Sequence, residues 1–245
     1  MSTPNLPTDA GRGGPDATAA FDALVHARKS TRAFLPTPVP RAVVEDILRL
    51  AARAPSGNNI QPWRVHVASG AVLGRLVDEV CTAFDVADGS HVPEYAYYPT
   101  AFFEPYLSRR RRIGSDLYGA LGIAKGDKAR MHAQMRRNFT FFGAPVALVV
   151  TIDRRLAQGS WLDCGMFIQN LLLAATAHDL ATCAQAAWID YHRIVGRLLD
   201  FDAQEQLVCA VALGHADPAA PENALETVRA PVGEFVRFHA DPGHD

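Results

Sequence analysis

The stretch APVALVVTI, residues 144–152, decides the class of fold that this sequence predicts. Its unbroken run of apolar and β-branched residues is typical of a strand that is buried on both faces of a sheet. The run LVCAVAL at 207–213 predicts a second strand of the same kind, and ATCA at 181–184 predicts a short third one. A buried sheet is therefore expected at the centre of the molecule.

Helical patterns lie on both sides of these strands in the chain. Residues 161–177 are apolar almost all round, so this helix must be central or lie at a subunit interface. Ser160 could cap it, with Asp163 three residues later in a capping-box-like arrangement. A two-residue alternation also predicts a strand at 64–68 with Val65 and Val67 pointing inward. Apolar residues at helical spacing predict further helices at 18–28, 43–51, 73–84, 127–138 and 191–199.

The mixture of helices and strands along the chain predicts one compact layered domain over residues 18–238. Residues 1–17, rich in Gly, Pro, Thr and Asp, predict a disordered tail, and residues 239–245 a short C-terminal one. Residues 86–140 differ in composition and predict an excursion with short helices. The chain is thus expected to contain one domain with two tails and one large insertion.

Composition excludes several classes of protein. The chain has 245 residues, of which 49% are apolar and 20% charged, and its formal net charge is −2. The apolar and charged fractions exclude a disordered chain and a coiled-coil rod. The small negative net charge lacks the positive electrostatic potential that is expected of a nucleic-acid-binding protein. Apolar runs are far shorter than the roughly 20 residues that cross a bilayer, and no apolar segment follows Met1, so we expect a cytoplasmic protein.

No motif for a metal site or a hydrolase is present in the sequence. The cysteines at 81, 164, 183 and 209 are widely spaced, without a CxxC pair, so free thiols are expected and a zinc site is not. The patterns GxSxG, HExxH and the P-loop are absent. We therefore expect no bound metal ion, and any catalytic activity must depend on groups other than a metal site or a hydrolase motif.

Two motifs and one isolated cation are candidates for binding a ligand. The motif RKSTR at 28–32 places three cations and two hydroxyl groups at the end of a helix, which suits binding of a phosphate. Cations are also common at a helix C-terminus because they interact favourably with the helix dipole. APSGNNIQPW at 54–63 combines small and amide residues that could lie against a flat heterocycle, or form an ordinary turn. Arg229 is a cation in an irregular tail, and could be only a surface residue.

The aromatic segment 95–106 and the arginine run 109–112 are open to two interpretations each. The aromatic residues could be a mobile cover that stacks on a substrate, or a satellite hydrophobic cluster. The arginines could attract anionic substrates or the phosphate of NADPH, although a charge run is more often a solvated face.

Five motifs, taken in order, resemble those of a known family. They are RKSTRAF at 28–34, APSGNNIQPW at 54–63, WLDCGMFIQNLLLAA at 161–175, ALGHADP at 212–218 and VRAP at 228–231. Together they resemble the FMN-dependent nitroreductase family over residues 21–238. RRNFTFFGAP at 136–145 resembles the branch that contains nitrobenzoate reductases.

The resemblance implies a fold, an assembly and a set of site residues. The fold is an α+β three-layer α/β/α sandwich with a central mixed sheet, in an interlocked homodimer with two FMN molecules at the interface. Some members carry a lysine where this chain has Thr227, which could weaken anion binding. The residues expected to bind FMN are Arg28, Lys29, Ser30, Arg32 and Arg229 around the phosphate, Pro55, Ser56, Gly57 and Asn59 from the other subunit, and Gln185 and Ala186 beside the ring. The substrate would contact Tyr95, Tyr98, Phe102 and Phe103.

The activity that the resemblance implies is NAD(P)H-dependent reduction of nitroaromatic compounds, such as nitrobenzoates, to hydroxylamines by a ping-pong sequence of hydride transfers. No catalytic side chain is expected, because the flavin carries the chemistry. Quinone or flavin reduction and reductive dehalogenation are alternatives on the same scaffold. A non-catalytic flavin carrier or sensor is the alternative from another class. The reductant would be NADPH or NADH.

Overall fold

The computed structural model describes residues 15–239, so most of the predicted tails, at 1–14 and 240–245, lie outside the described residues. Residues 15–17, expected in the tail, form the first turn of a helix, where the fixed φ of Pro15 is favourable. The helices are α1 (Pro15–Ala27), α2 (Arg41–Ala51), α3 (Gly70–Val86), α4 (Tyr106–Ala120), α5 (Lys128–Arg136), α6 (Gln158–Ala177) and α7 (His192–Leu198). The strands are β1 (Trp63–Ser69), β2 (Val146–Asp153), β3 (Ala181–Gln185) and β4 (Glu205–Gly214).

The four strands form one sheet in the order β1-β2-β4-β3, and each neighbouring pair is antiparallel. The prediction of a mixed sheet is therefore wrong for these strands. The chain crosses from β2 through α6 to β3, which runs parallel to β2, but β4 lies between the two. Within residues 15–239 the parallel pairing is limited to one isolated bridge between Ser30 and Thr182.

Helices cover both faces of the sheet, which confirms the three-layer α+β architecture. One core lies between the sheet and helices α2 and α6, and Ile47 and Leu171 are fully buried in it. The other core lies under α3, α7 and the 3₁₀ turns at Arg137–Gly143 and Ala186–Tyr191, with Trp188 at its centre. Each face of β2 and β4 thus packs against a separate helical layer.

Helix α6 has one buried face and one exposed face in the single chain. Its inner face packs into the core, whereas Leu162 on the outer face is 73% exposed and Met166 is also exposed. The predicted capping role of Ser160 and Asp163 is wrong, because the helix begins two residues before Ser160 and both side chains are buried inside its first turns. The apolar character of α6 therefore exceeds what the single chain can bury.

Strand β1 and the insertion differ in detail from their predictions. Val65 packs against the core as predicted, but Val67, on the same face of the edge strand β1, is 48% exposed. Helix α4 in the insertion has 15 residues and is not short. No helix within residues 15–239 is long and apolar enough to span a membrane.

The four cysteines are buried and free. Burial raises the pKa of the Cys209 thiol to about 12 and that of Cys183 to about 11. Such thiols are poor nucleophiles at neutral pH, so the structure supports their interpretation as small core residues.

Candidate functional site

A cavity of about 860 Å³ opens where three separate segments of the chain meet. Arg28 and Ser30 come from the end of α1 and the residues after it, Arg109 and Arg112 from α4, and Arg229 from the C-terminal segment. The volume is in the range of ordinary ligand pockets, roughly 300–1,000 Å³. The structure thus brings three of the predicted phosphate-binding residues, Arg28, Ser30 and Arg229, to one cavity.

Four cations at or beside this cavity lack acidic partners, whereas the two on α4 lie near Glu234 and Asp116. Arg28, Lys29, Arg32 and Arg229 form no salt bridge with any carboxylate in the part of the chain that the structure describes. Burial, together with the positive charge of Arg229, lowers the pKa of Arg28. The positively charged guanidinium groups of Arg28 and Arg229 repel each other, because no carboxylate within residues 15–239 pairs with either of them. An anion bound between the two groups would offset this electrostatic repulsion. The arrangement is therefore suited to a negatively charged ligand.

The segment 28–33 is fixed in place by Asn223. The Nζ of Lys29 donates to the backbone oxygen of Asn223 at 2.5 Å, and the side-chain oxygen of Asn223 accepts from the backbone nitrogen of Arg32 at 2.8 Å. The Asn223 amide nitrogen donates to the oxygen of Ala33 at 2.8 Å. Lys29 is thus directed to the C-terminal segment, and neither Lys29 nor Arg32 lines the cavity, although both were predicted beside the phosphate.

Thr227 orients Arg229. The Nη1 of Arg229 donates to the hydroxyl oxygen of Thr227 at 2.6 Å and to the backbone oxygen of the same residue at 3.1 Å. Position 227 therefore supplies an acceptor for the arginine rather than a second cation.

The turn at 54–63 is exposed, and part of its backbone is strained. Asn58, Asn59 and Gln61 have φ values of +50°, +57° and +48°, a region in which Asn is better tolerated than most residues. Both carboxylate oxygens of Asp163, on α6, lie 3.3 Å from the backbone nitrogen of Gly57. The predicted residues Pro55, Ser56, Gly57 and Asn59 thus lie on a turn that a buried carboxylate holds.

Gln185 and Ala186 lie at the end of β3, where the chain enters a 3₁₀ turn. The amide nitrogen of Gln185 donates to the backbone oxygen of Asn138 at 2.7 Å, and the indole nitrogen of Trp188 donates to the same atom at 3.1 Å. The side-chain oxygen of Gln185 is buried and has no hydrogen-bond partner within residues 15–239. A buried acceptor of this kind is uncommon and suits a bound donor.

The aromatic segment divides into two groups. Tyr95 packs edge-on against Trp161, and its hydroxyl donates to the backbone oxygen of Val208 at 2.5 Å, so it belongs to the core rather than to a cover. Burial raises the pKa of Tyr95 strongly. Five other rings contact one another at centroid distances of 4.7–5.4 Å, and all of them except Phe102 are more than half exposed. The contacts are Tyr97 with Tyr98, Tyr98 with Phe102, and Phe103 with Tyr106.

Two structural contributors were not predicted as site residues. Asp163 could have been noticed as a lone charge within an apolar helix, but nothing in the local sequence distinguishes Asn223. Contacts between residues that lie about 190 positions apart leave no local pattern. Arg109 and Arg112 of the run 109–112, which was predicted either to attract anions or to be a solvated face, line the cavity.

The fold and the cavity define an α+β ligand-binding protein whose site suits an organic anion. The chain belongs to the nitroreductase family, because its residues 25–215 match the family model described as "Nitroreductase family". The match confirms the family that the sequence motifs resemble.

Named relatives agree with this assignment. The chain is 40% identical to the 4-nitrobenzoate reductase of Nocardioides sp. (strain LMS-CY) over 225 residues, 91% of each protein. It is 36% identical to the nitrobenzene nitroreductase of Ectopseudomonas oleovorans over 218 residues, which are 89% of this chain and 96% of the relative. The crystal structure of the FMN and NADPH-dependent nitroreductase NfnB from Sphigopyxis sp. strain HMH matches 90% of this chain and 99% of its own, with a TM-score of 0.87 and 36% identity.

Proposed function

We propose that this protein is an FMN-dependent NAD(P)H oxidoreductase that reduces nitroaromatic compounds, nitrobenzoates among them, to hydroxylamines. The observation that carries the proposal is the pair Arg28 and Arg229, which share one cavity and have no carboxylate partner within residues 15–239. The names of the relatives, a nitrobenzoate reductase and an FMN and NADPH-dependent nitroreductase, support the choice of ligand and substrate.

The residues present fit FMN. The guanidinium groups of Arg28 and Arg229, with the hydroxyl of Ser30, would hold the phosphate, because charge-assisted hydrogen bonds to phosphate are the strong ones. Gln185, whose buried side-chain oxygen needs a donor, and Ala186 would lie beside the ring system. Lys29 and Arg32 would add positive charge from outside the cavity.

A second copy of the chain would complete the site. Phe21 on α1 is 60% exposed, Val25 is exposed beside it, and α1 packs on α6, whose outer face carries the exposed Leu162 and Met166. Covering these apolar faces by an identical chain supports a homodimer, since a two-fold interface buries the same surface twice. The exposed turn at 54–63 would then reach the flavin of the partner with Pro55, Ser56, Gly57 and Asn59.

Bound FMN would supply the hydride chemistry, and the protein residues would bind and position the reactants. The exposed rings of Tyr98 and Phe103, with the partly buried ring of Phe102, offer stacking surfaces to an aromatic substrate. Tyr95 would support this surface from the core, because its hydroxyl is bonded to Val208. We propose a cytoplasmic location, which the four free thiols and the proposed nicotinamide reductant support.

The test is to purify the protein with FMN and to mix it rapidly with NADPH or NADH in the absence of oxygen. We expect a yellow protein whose flavin absorbance is lost on mixing and returns on addition of 4-nitrobenzoate. A panel of nitroarenes, quinones and halophenols then ranks substrates by kcat/KM. A protein that binds no FMN would contradict the proposal, and a bound flavin whose absorbance is unchanged by either nicotinamide would favour a flavin carrier or sensor.

A further inference from the structure

Helix α4 directs one face of its arginine run to the cavity. Arg109 and Arg112 line the cavity with Ile113 and Asp116, a spacing that places all four residues on one side of the helix. Arg110 and Arg111 do not line it.

The two cavity arginines differ in how well they are neutralised. The Nη2 of Arg109 donates to the Oε2 of Glu234 at 3.0 Å, which joins α4 to the C-terminal segment. The Nε of Arg112 is 3.8 Å from the nearest oxygen of Asp116, which is too far for a hydrogen bond. Within residues 15–239, Arg112 is therefore the cavity-lining cation on α4 whose guanidinium makes no hydrogen bond to a carboxylate.

The cavity is too large for the flavin phosphate alone. In the proposed function, Arg28, Ser30 and Arg229 are occupied by that phosphate, and they come from segments other than α4. A volume of about 860 Å³ leaves room for a second group beside it. That group should be anionic, because it would meet Arg112, whose nearest carboxylate oxygen is 3.8 Å away, beside the hydrogen-bonded pair of Arg109 and Glu234.

The length of the possible ligands decides between them. A nitrobenzoate is a single ring, so its carboxylate cannot reach the phosphate end of a flavin while its nitro group lies at the flavin ring. A nicotinamide dinucleotide is long enough to have one end at the flavin ring and a phosphate far away. Only the phosphorylated dinucleotide carries a phosphomonoester at its adenosine ribose.

We propose that Arg112, supported by Arg109, binds the 2′-phosphate of NADPH and so makes the enzyme selective for NADPH over NADH. The inference rests on the proposed function and specifies its reductant. Arg112 is a specificity residue in this scheme, because it contacts a part of the reductant that takes no part in the reaction.

The test compares Arg112→Gln with Arg111→Gln in the FMN-loaded protein. The binding probes are adenosine 2′,5′-bisphosphate and AMP, measured by calorimetry at low salt. Arg112→Gln should weaken binding of the bisphosphate about tenfold, the lower end of what a charged hydrogen bond contributes, and should hardly change binding of AMP. The ratio of kcat/KM for NADPH to that for NADH should fall by a similar factor, mainly through the KM for NADPH. Arg111→Gln should leave both quantities as in the parent protein.

Three outcomes would overturn the inference. The parent protein could bind the two nucleotides equally, the two variants could behave alike, or Arg112→Gln could weaken FMN binding, in which case the phosphate that it contacts belongs to the flavin. In each case a protein that still binds FMN and reduces nitroarenes retains the proposed function. Failure to bind FMN in the parent protein would instead contradict the proposed function itself.

Discussion

Asp163 and Asn223 connect parts of the chain that are far apart in sequence. Asp163 is buried in α6 and contacts the backbone of Gly57, whereas Asn223 joins the backbone of Arg32 and Ala33 to the C-terminal segment. Both side chains bond to backbone atoms, so they fix the path of the chain at the site. Sequence motifs identified the segments that these residues hold, but not the residues themselves, because a long-range hydrogen bond has no local signature.

Arg28→Ala should weaken FMN binding by about tenfold or more. The substitution removes a half-buried charged donor, and hydrogen bonds to charged groups contribute roughly 1.5–3 kcal/mol. The dissociation constant can be measured by titrating apoprotein with FMN and following flavin fluorescence. Arg41→Ala is the matched control, because Arg41 is an exposed arginine on α2 that pairs with Glu45 at the surface. Equal FMN affinities of Arg28→Ala and Arg41→Ala would show that Arg28 does not bind the phosphate.

Glu205 should make stability sensitive to acid. Burial raises the pKa of this carboxyl, but hydrogen bonds from Thr151, His66 and the backbone of Asp202 outweigh that effect and leave the pKa below its usual value. A group with a lowered pKa in the folded state stabilises the protein above its unfolded-state pKa, and this contribution is lost as pH falls through the folded-state value.

Glu205→Gln should therefore lower the free energy of unfolding by about 1–3 kcal/mol at pH 7, because donors that bonded to the carboxylate lose a good acceptor. The difference from the parent should shrink below about pH 4.5, where the carboxyl begins to protonate in the unfolded chain. Urea unfolding between pH 7 and pH 3 measures both effects. Glu45→Gln, at an exposed pair, should change little, and a pH-independent difference at position 205 would contradict the linkage.

At the scale of elements, the local sequence predicted what each segment forms better than how the segments pair. The runs at 144–152 and 207–213 are apolar throughout, and they form the two central strands β2 and β4. Their antiparallel pairing, with β3 beyond β4, depends on contacts between distant segments and on the path through α6. The mixed sheet was implied by the family resemblance and not by these local patterns, and it is wrong for the four described strands because each neighbouring pair is antiparallel.

Gly214, the last residue of β4, lies close against Pro145. A Cβ atom at this position would lie 2.6 Å from the Cδ of Pro145, in a rigid ring that cannot move aside. Gly214→Ala should therefore destabilise the protein by about 1–3 kcal/mol, the usual cost of overpacking a core.

Gly114→Ala provides the comparison, since this glycine lies within α4 and a Cβ there would meet no atom within 4 Å. It should be neutral or stabilise the protein by up to about 1 kcal/mol through helix propensity. Chemical denaturation of both variants gives the two values, and a Gly214→Ala variant as stable as the parent would refute the close approach to Pro145.

At the scale of the whole molecule, the single chain leaves apolar surface on α1 and α6. Helix α1 has no buried residue, although its apolar residues follow a helical period. The sequence predicted an apolar stripe on α1 and a nearly all-apolar α6, and the proposed homodimer would account for both patterns. A pattern of hydrophobic residues shows that a face is covered, but it does not distinguish the same chain from another copy.

Leu162→Glu should separate the proposed dimer. The leucine is 73% exposed in the single chain, and a buried carboxylate without a partner would oppose association. Light scattering after size-exclusion chromatography should show a shift towards monomer, with the dimer dissociation constant raised at least about tenfold, and FMN affinity should fall in parallel.

Val86→Glu is the matched control for this change. Val86 is similarly exposed, at 64%, but it lies at the end of α3 on the other side of the sheet from α6. This variant should keep the mass of the parent. If Leu162→Glu also kept it, the outer face of α6 would not be the interface.

The pair Arg28 and Arg229, which has no carboxylate partner within residues 15–239, also has a practical consequence for handling the protein. Inorganic phosphate and sulfate in a buffer are small dianions that would compete for Arg28 and Arg229 while also stabilising the folded apoprotein by mass action. Flavin and nucleotide affinities determined in phosphate buffer should therefore appear weaker than those in a chloride buffer of equal ionic strength. Phosphate buffer is therefore suited to storing the flavin-free protein, and chloride buffer is suited to titrations with flavin or nucleotide.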